Sequence, residues 1–368
     1  MQRRGFFYLF AGAVVIIALI ITGIIIFKKP ARLPVIPEPV KKRVFQPEFH
    51  KGISYIAWTE EGYSNVNSTK AMEELVSLGV EWVGLLTTWY QDSPDTVKIY
   101  RLRKKTPSDE SLLFAIEKLH DLGLKIMLKP HLDLVKSGGK WRGEIGYDNL
   151  AEWQAWFASY TDFILYYARL AEQENVELFC VGTELTNATL SQPGLWRDLI
   201  NKVRKVYQGR LTYAANWYNE FDNIEFWDEL DYAGIDPYFP LINSSSPTKE
   251  ELVKAWKDWL GGIEAWQKEI NKPVIFTEIG YKSSQGSADE PWQHSPAGKV
   301  DLQLQADCYE ALLASFYEKP WFYGIYWWYW GVNPKIGGKF HRGFTPQNKP
   351  AREVIKQWYK KPASSKVY

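Results

Sequence analysis

Lys272-Pro-Val-Ile-Phe-Thr-Glu-Ile-Gly-Tyr281 is a short β-branched and aromatic run that closes on one carboxylate, Glu278. A parallel strand covered on both faces reads as such a near-continuous apolar run, so an acid at its end needs a reason. Two reasons compete: an acid paired with a basic or backbone partner at the strand's edge, or a catalytic group. The same pattern, an apolar run ending in Thr-Glu, recurs at Cys180-Val-Gly-Thr-Glu184.

Outward from this stretch, strand-like runs alternate with helical patterns. The strands are expected at 52–58, 81–88, 124–130, 177–184, 210–216, 231–237, 273–278 and 323–330. The helices are expected at 68–78, 108–122, 149–174, 195–207, 248–270, 300–318 and 351–359, with about one helical turn near 225–229 between the fifth and sixth strands. Thr248 and Glu251 form a candidate capping box, and Gly79 and Gly123 stand where helices should stop. Eight strands in strict alternation with helices imply right-handed crossovers and a closed (β/α)8 barrel. A doubly wound open sheet is the competing architecture. Against it, the first strand is followed by Trp58-Thr-Glu-Glu-Gly62 rather than a glycine-rich phosphate loop.

The N-terminal part reads differently. Residues 5–27 are uncharged and apolar for long enough to cross a bilayer, and the run exceeds the core of a cleaved signal peptide. A basic residue pair in 1–4 precedes it, and a proline-rich stem at 28–50 follows as a semi-rigid spacer. The expected organisation is therefore an anchor, a stem, a barrel at 51–361 and a short tail at 362–368. Arg3 and Arg4 on one side are balanced by Lys28, Lys29 and Arg32 on the other, so flanking charge does not orient the segment. The barrel is expected on the extracytoplasmic side of the membrane.

Across 368 residues, 44 basic and 43 acidic side chains leave a net charge of +1, which argues against nucleic acid or a strongly charged polymer as partner. Aromatics make up 16% of the chain, with 18 Trp and 22 Tyr. Trp faces left accessible suit stacking on the C–H faces of sugar rings. Cys180 and Cys308, the 2 cysteines, read as free buried thiols rather than a disulfide or metal site.

In a barrel the reactive groups lie at the carboxyl ends of the strands. That rim collects Ala57 and Trp58; Thr88, Trp89 and Tyr90; Lys129, His131 and Asp133; Thr183, Glu184 and Asn187; Asn216, Trp217 and Tyr218; Asp236 and Tyr238; Glu278 and Tyr281; and Trp327, Trp328 and Trp330. Two carboxylates across an aromatic mouth, with no evident metal cluster, suit glycoside hydrolysis: one donates a proton to the leaving oxygen and the other attacks the anomeric carbon or activates water. His131 is read either as a substrate or glutamate contact or as rim filling. Asn216 and Trp217 are candidates for shaping the sugar pocket, with Trp328 or Trp330 as its floor. The long loop at 281–299 carries Trp292 and reads either as a wall on the leaving-group side or as an unstructured insertion. Trp256, Trp259 and Trp266, at helical spacing, read as packing against the barrel.

Gly182-Thr-Glu-Leu-Thr-Asn187 and Phe276-Thr-Glu-Ile-Gly-Tyr281 resemble the acid/base and nucleophile strands of clan A glycoside hydrolases. The chain is more closely similar to glycoside hydrolase family 113, the β-mannanases, through Lys51-Gly-Ile-Ser-Tyr55, Lys129-Pro-His131, Asp236-Pro-Tyr238, Trp327-Trp-Tyr-Trp330 and Thr345-Pro-Gln-Asn-Lys-Pro350. The likeness covers nearly everything after the stem. It implies a retaining, cofactor-free hydrolase of β-1,4-mannan with Glu278 as nucleophile and Glu184 as acid/base, their carboxyls ~5–5.5 Å apart. It also implies that Tyr238 donates to Glu278 and helps keep it ionised. Thr183 is a departure, since many clan members carry there an Asn that bonds the sugar's 2-hydroxyl. Action on another β-glycan, by hydrolysis or transglycosylation, and a non-catalytic carbohydrate-binding barrel are the alternatives.

Overall fold

The eight apolar runs become eight parallel strands whose first and last members pair, in a computed structural model that describes residues 48–296 and 298–362. They are β1 (His50–Ile56), β2 (Trp82–Gln91), β3 (Lys125–Leu134), β4 (Leu178–Thr183), β5 (Arg210–Asn216), β6 (Ala233–Asp236), β7 (Val274–Ile279) and β8 (Phe322–Gly331). Each pairs with its neighbours in sequence, and β1 joins both β2 and β8, so the sheet is the expected closed barrel.

The crossovers are α1 (Val66–Ser77), α2 (Asp109–Asp121), α3 (Leu150–Gln173), α4 (Thr186–Ser191) with α5 (Pro193–Arg204), α6 (Lys249–Ile270), α7 (Leu302–Phe316) and, after β8, α8 (Pro350–Tyr359). Capping fixes several starts. Thr248 and Glu251 form the capping box at α6, and Ser108 and Asn149 cap α2 and α3, each cap typically worth ~1 kcal/mol. Gly79 and Gly123 adopt left-handed φ values of 78° and 76° just past α1 and α2. Between β5 and β6 only the 3-10 turn Trp227–Glu229 intervenes.

Two elements differ from expectation. α4 precedes the helix expected at 195–207, and a two-residue strand, Ile99–Tyr100, pairs antiparallel with the end of β2. The expected membrane segment at 5–27 lies outside the described residues, as do the stem up to residue 47 and all of the expected tail at 362–368 but its first residue. Among the described residues no helix is long and apolar enough to cross a membrane. Phe49 and His50, read as the end of the stem, belong instead to the barrel. Phe49 packs on Tyr317 and Phe322, while His50 opens β1, stacks on Trp82 at 3.8 Å and shares a 2.9 Å hydrogen bond with the Tyr326 hydroxyl.

Period two divides the strand residues into two cores. Trp82, Met127, Leu178, Cys180, Ala214, Tyr232, Ile275, Tyr323 and Tyr326 fill the barrel interior, and the alternating residues join the larger core beneath the helices. Trp256 and Trp266 are buried in that helix layer, and Trp259 stacks on Phe239 at 4.4 Å. Cys180 and Cys308 are both free and buried. Above the interior layer, the inward positions turn polar.

Candidate active site

On β3 the inward parity that starts at Met127 continues through Lys129 and His131, so the strand carries a lysine into the barrel. Lys129 is fully buried and reaches three acceptors: Glu278 Oε2 at 2.9 Å, Asp236 Oδ2 at 3.3 Å and the Thr277 carbonyl at 3.5 Å. Glu278, next to last in β7, also accepts a 2.9 Å bond from the Tyr238 hydroxyl onto Oε1. Two donors from opposite sides, one of them charged, fix its orientation. Asp236 ends β6 and takes a 2.6 Å bond from Thr277 Oγ1. Desolvation pushes Asp236 well above the usual carboxylate range despite Lys129, because one cation serves two acids and Asp236 is the more deeply enclosed.

Glu184 is placed by an irregularity in β4. The register against β5 shifts between Cys180 and Thr183. At that point Gly182 lies under Tyr160, Trp196 and Tyr213, where a Cβ would come within 2.8 Å of each. Glu184 then leaves the strand with φ 52°, a conformation that costs a non-glycine residue ~1–3 kcal/mol and persists only where the surroundings over-determine it. Its N–H donates to the Ala214 carbonyl at 2.8 Å, and its Oε1 accepts the Asn216 side-chain amide at 2.7 Å. Arg142, in a 3-10 turn after β3, stands 3.6 Å from Oε2 and 3.6 Å from Asp133. Burial raises Glu184 above the ordinary carboxylate range against the pull of Arg142, and Glu278 adds to the rise.

Behind this pair lies Glu220, fully buried and held by Tyr213, Thr189 and the Asn216 backbone. Burial pushes it up to about 7 in spite of those bonds.

The remaining candidates divide. His131 lies parallel to Trp328 with centroids 6.4 Å apart, and its Nε2 has no hydrogen-bond partner; desolvation and then the nearby Lys129 and Arg142 keep its ring neutral. Thr183 is buried beside Glu184. Trp217 meets Trp292 of the long loop at 5.2 Å, which joins the β5 and β7 sides of the mouth in one aromatic wall. Trp58 stands half-exposed beyond β1.

Trp89 and Trp330 are not brought to the site. β2 runs on to Gln91, so Trp89 is still within the strand and faces α3, donating from Nε1 to the Tyr167 hydroxyl and packing on Phe163. Trp330 is 0% exposed and closed off from any sugar, whereas Trp328 keeps 8% exposure and lies parallel to His131. Its parity matches Trp328, but the β8 register against β1 shifts between Ile53 and Tyr55 and the alternation does not carry through.

Arg142 and Glu220 were not singled out from the sequence. Both lie in connections without periodicity, and no residue pattern marks them. Lys129 carried a signal equal to that of Glu278, a lone charge in an apolar strand, although its role was not assigned.

A closed barrel with glutamates at the carboxyl ends of its fourth and seventh strands, one in a raised-pKa setting and the other anchored by a buried cation, defines a barrel-type glycoside hydrolase. The model of Glycoside Hydrolase Family 113 matches residues 53–349, and the chain belongs to that family. Among solved structures, a GH113 β-1,4-mannanase in a complex is 29% identical with a TM-score of 0.77, covering 86% of this chain and 100% of its own. The GH113 β-mannanase AaManA from Alicyclobacillus acidocaldarius, in complex with ManMIm, is 29% identical with a TM-score of 0.76 and coverage of 85% and 97%. A β-glucuronidase from Faecalibacterium prausnitzii, 15% identical with a TM-score of 0.58 over 87% of this chain and 50% of its own, shares the fold alone. No curated protein matches the chain.

Proposed function

We propose that the chain hydrolyses β-1,4-linked mannan or mannose-containing chains with retention of configuration. Glu278 attacks the anomeric carbon and forms a glycosyl ester, while Glu184 gives its proton to the departing glycosidic oxygen. Glu184, now a carboxylate, removes a proton from water, and that water displaces Glu278 from the sugar. The observation that carries this reading is the unequal setting of the two acids. Glu278 is clamped by Lys129 at 2.9 Å and Tyr238 at 2.9 Å, whereas burial holds Glu184 toward its protonated form. The mannan preference is supported by the β-mannanases among the structures it is similar to.

Glu278→Ala is expected to abolish mannan hydrolysis with the fold intact. Azide is expected to restore turnover with an inverted glycosyl azide as product. Substantial hydrolysis by Glu278→Ala without azide would remove Glu278 from its role. The segment at 5–27 supports, by its length and lack of charge, a membrane tether, and the side of the membrane proposed for the barrel is the extracytoplasmic one. Protease shaving of intact cells tests this, and a barrel protected until the cells are lysed refutes it.

A further inference from the structure

The acid side of the mouth is backed by a carboxylate that no substrate can reach. Glu220 lies four residues past Asn216 and is 0% exposed. Three donors converge on it: the Tyr213 hydroxyl at 2.7 Å and Thr189 Oγ1 at 2.9 Å onto Oε1, and the Asn216 backbone N–H at 2.6 Å onto Oε2. Each donor also holds a part of the chain around Glu184. The Tyr213 hydroxyl accepts the N–H of Leu185, the residue after Glu184, at 2.7 Å. Thr189 belongs to α4, which starts at Thr186. Asn216 gives its side-chain amide to Glu184 Oε1 at 2.7 Å. Glu184 has a left-handed backbone, which a non-glycine residue keeps only where neighbours impose it.

We propose that Glu220 is a positioning residue for Glu184, gripping it through Tyr213 and Leu185 on the backbone side and through Asn216 on the carboxyl side. Glu220 itself, 0% exposed, is out of reach of substrate. Glu220 sets where the Glu184 proton is delivered, and a defect in it appears in proton donation before it appears in sugar binding. The inference rests on Glu184 being the acid/base.

The test uses two substrates on the full-length protein. A β-1,4-mannooligosaccharide leaves as a poor alkoxide unless it is protonated, whereas 2,4-dinitrophenyl β-mannoside expels its phenolate without a proton. kcat/KM reports the first chemical step on both, so deglycosylation does not enter. Correctly placed general acids contribute ~10²–10⁴-fold. Glu220→Gln, which keeps the side-chain shape, is expected to lose about 10–100-fold of kcat/KM on the oligosaccharide and less than about 3-fold on the aryl mannoside.

Equal losses on both substrates, or no loss on either, overturn the proposal. Tyr213→Phe, which deletes the hydroxyl that links Glu220 to Leu185, should show the same bias in smaller measure and serves if circular dichroism finds Glu220→Gln unfolded. Glu184→Ala is run beside them. If it shows the bias and the Glu220 and Tyr213 variants do not, only the positioning role fails. If Glu184→Ala itself lacks the bias, the acid/base assignment fails and the positioning role with it.

Discussion

Lys129→Met removes a buried cation that serves two acids, and the structure fixes the consequence in sign and size. Lys129 is 0% exposed and lies 2.9 Å from Glu278 and 3.3 Å from Asp236, itself 0% exposed. Methionine has similar length and no charge, so little volume changes and the loss is electrostatic. Deleting one partner of a buried ion pair costs ~3–5 kcal/mol, because the other partner is left uncompensated. Against a total stability of ~5–15 kcal/mol this is a large fraction, and it corresponds to a fall in Tm of about 5–8 °C. Asp236→Asn relieves part of the damage by putting a permanently neutral side chain where desolvation already opposes the charged acid, while leaving Thr277 an oxygen to donate to. In the Lys129→Met background it should restore ~1–2 kcal/mol, whereas in the native background it should cost stability or change little. Urea unfolding of the four proteins gives the cycle. A Lys129→Met variant within about 1 kcal/mol of native, or an Asp236→Asn effect identical in both backgrounds, would refute the view of Lys129 as a shared counter-ion.

Three other perturbations have definite outcomes. Glu220, raised from 4.5 to about 7, keeps its proton in the fold after the unfolded chain has lost its own. Stability should therefore fall by about 3 kcal/mol as pH rises from about 4.5 to 7, and Glu220→Gln should flatten that slope in pH-dependent unfolding. Arg142 lies 3.6 Å from Glu184 and lowers it, so Arg142→Met should leave the acid protonated to higher pH. The alkaline limb of kcat/KM should move up, and a downward shift contradicts the assignment. Trp217→Ala should raise KM on mannooligosaccharides by ~3–10-fold with kcat nearly unchanged, as expected for a stacking platform, and a loss confined to kcat counts against the aromatic wall.

Eight strands were legible because each is an apolar run bounded by turn residues, and most of the ends lie within three residues of those expected. β5 at Arg210–Asn216 matches at both ends. The strands that outran expectation are the informative cases. β2 and β3 continue past Thr88 and Pro130 because their polar tails still pair, from Thr87↔Pro130 through Gln91↔Leu134, and composition alone does not reveal such pairing. That extension is what turned Trp89 away from the mouth. Glu184 and Glu278 were legible because an acid closing an apolar run stands out. Glu220 was not, because its surroundings are assembled from α4, β5 and the chain after β5, and its burial comes from tertiary packing rather than from any local pattern. α4 was missed for a related reason: six residues ending just before Gln192-Pro193 are too short to show a helical period.

The mouth places its two glutamates in different surroundings by two different physical means. Glu184 is raised chiefly by desolvation, and a sugar that displaces water from the 16% of its side chain still open removes more solvent from the same carboxyl. Glu278 is held by attraction to Lys129 across 2.9 Å, and that attraction strengthens as the local dielectric falls. Excluding water also strengthens the opposing pull of Arg142, 3.6 Å away, so the protonation of Glu184 under a bound sugar is the balance of the two effects. In the proposed mechanism burial is thus what raises Glu184, while the contact with Lys129 orients Glu278.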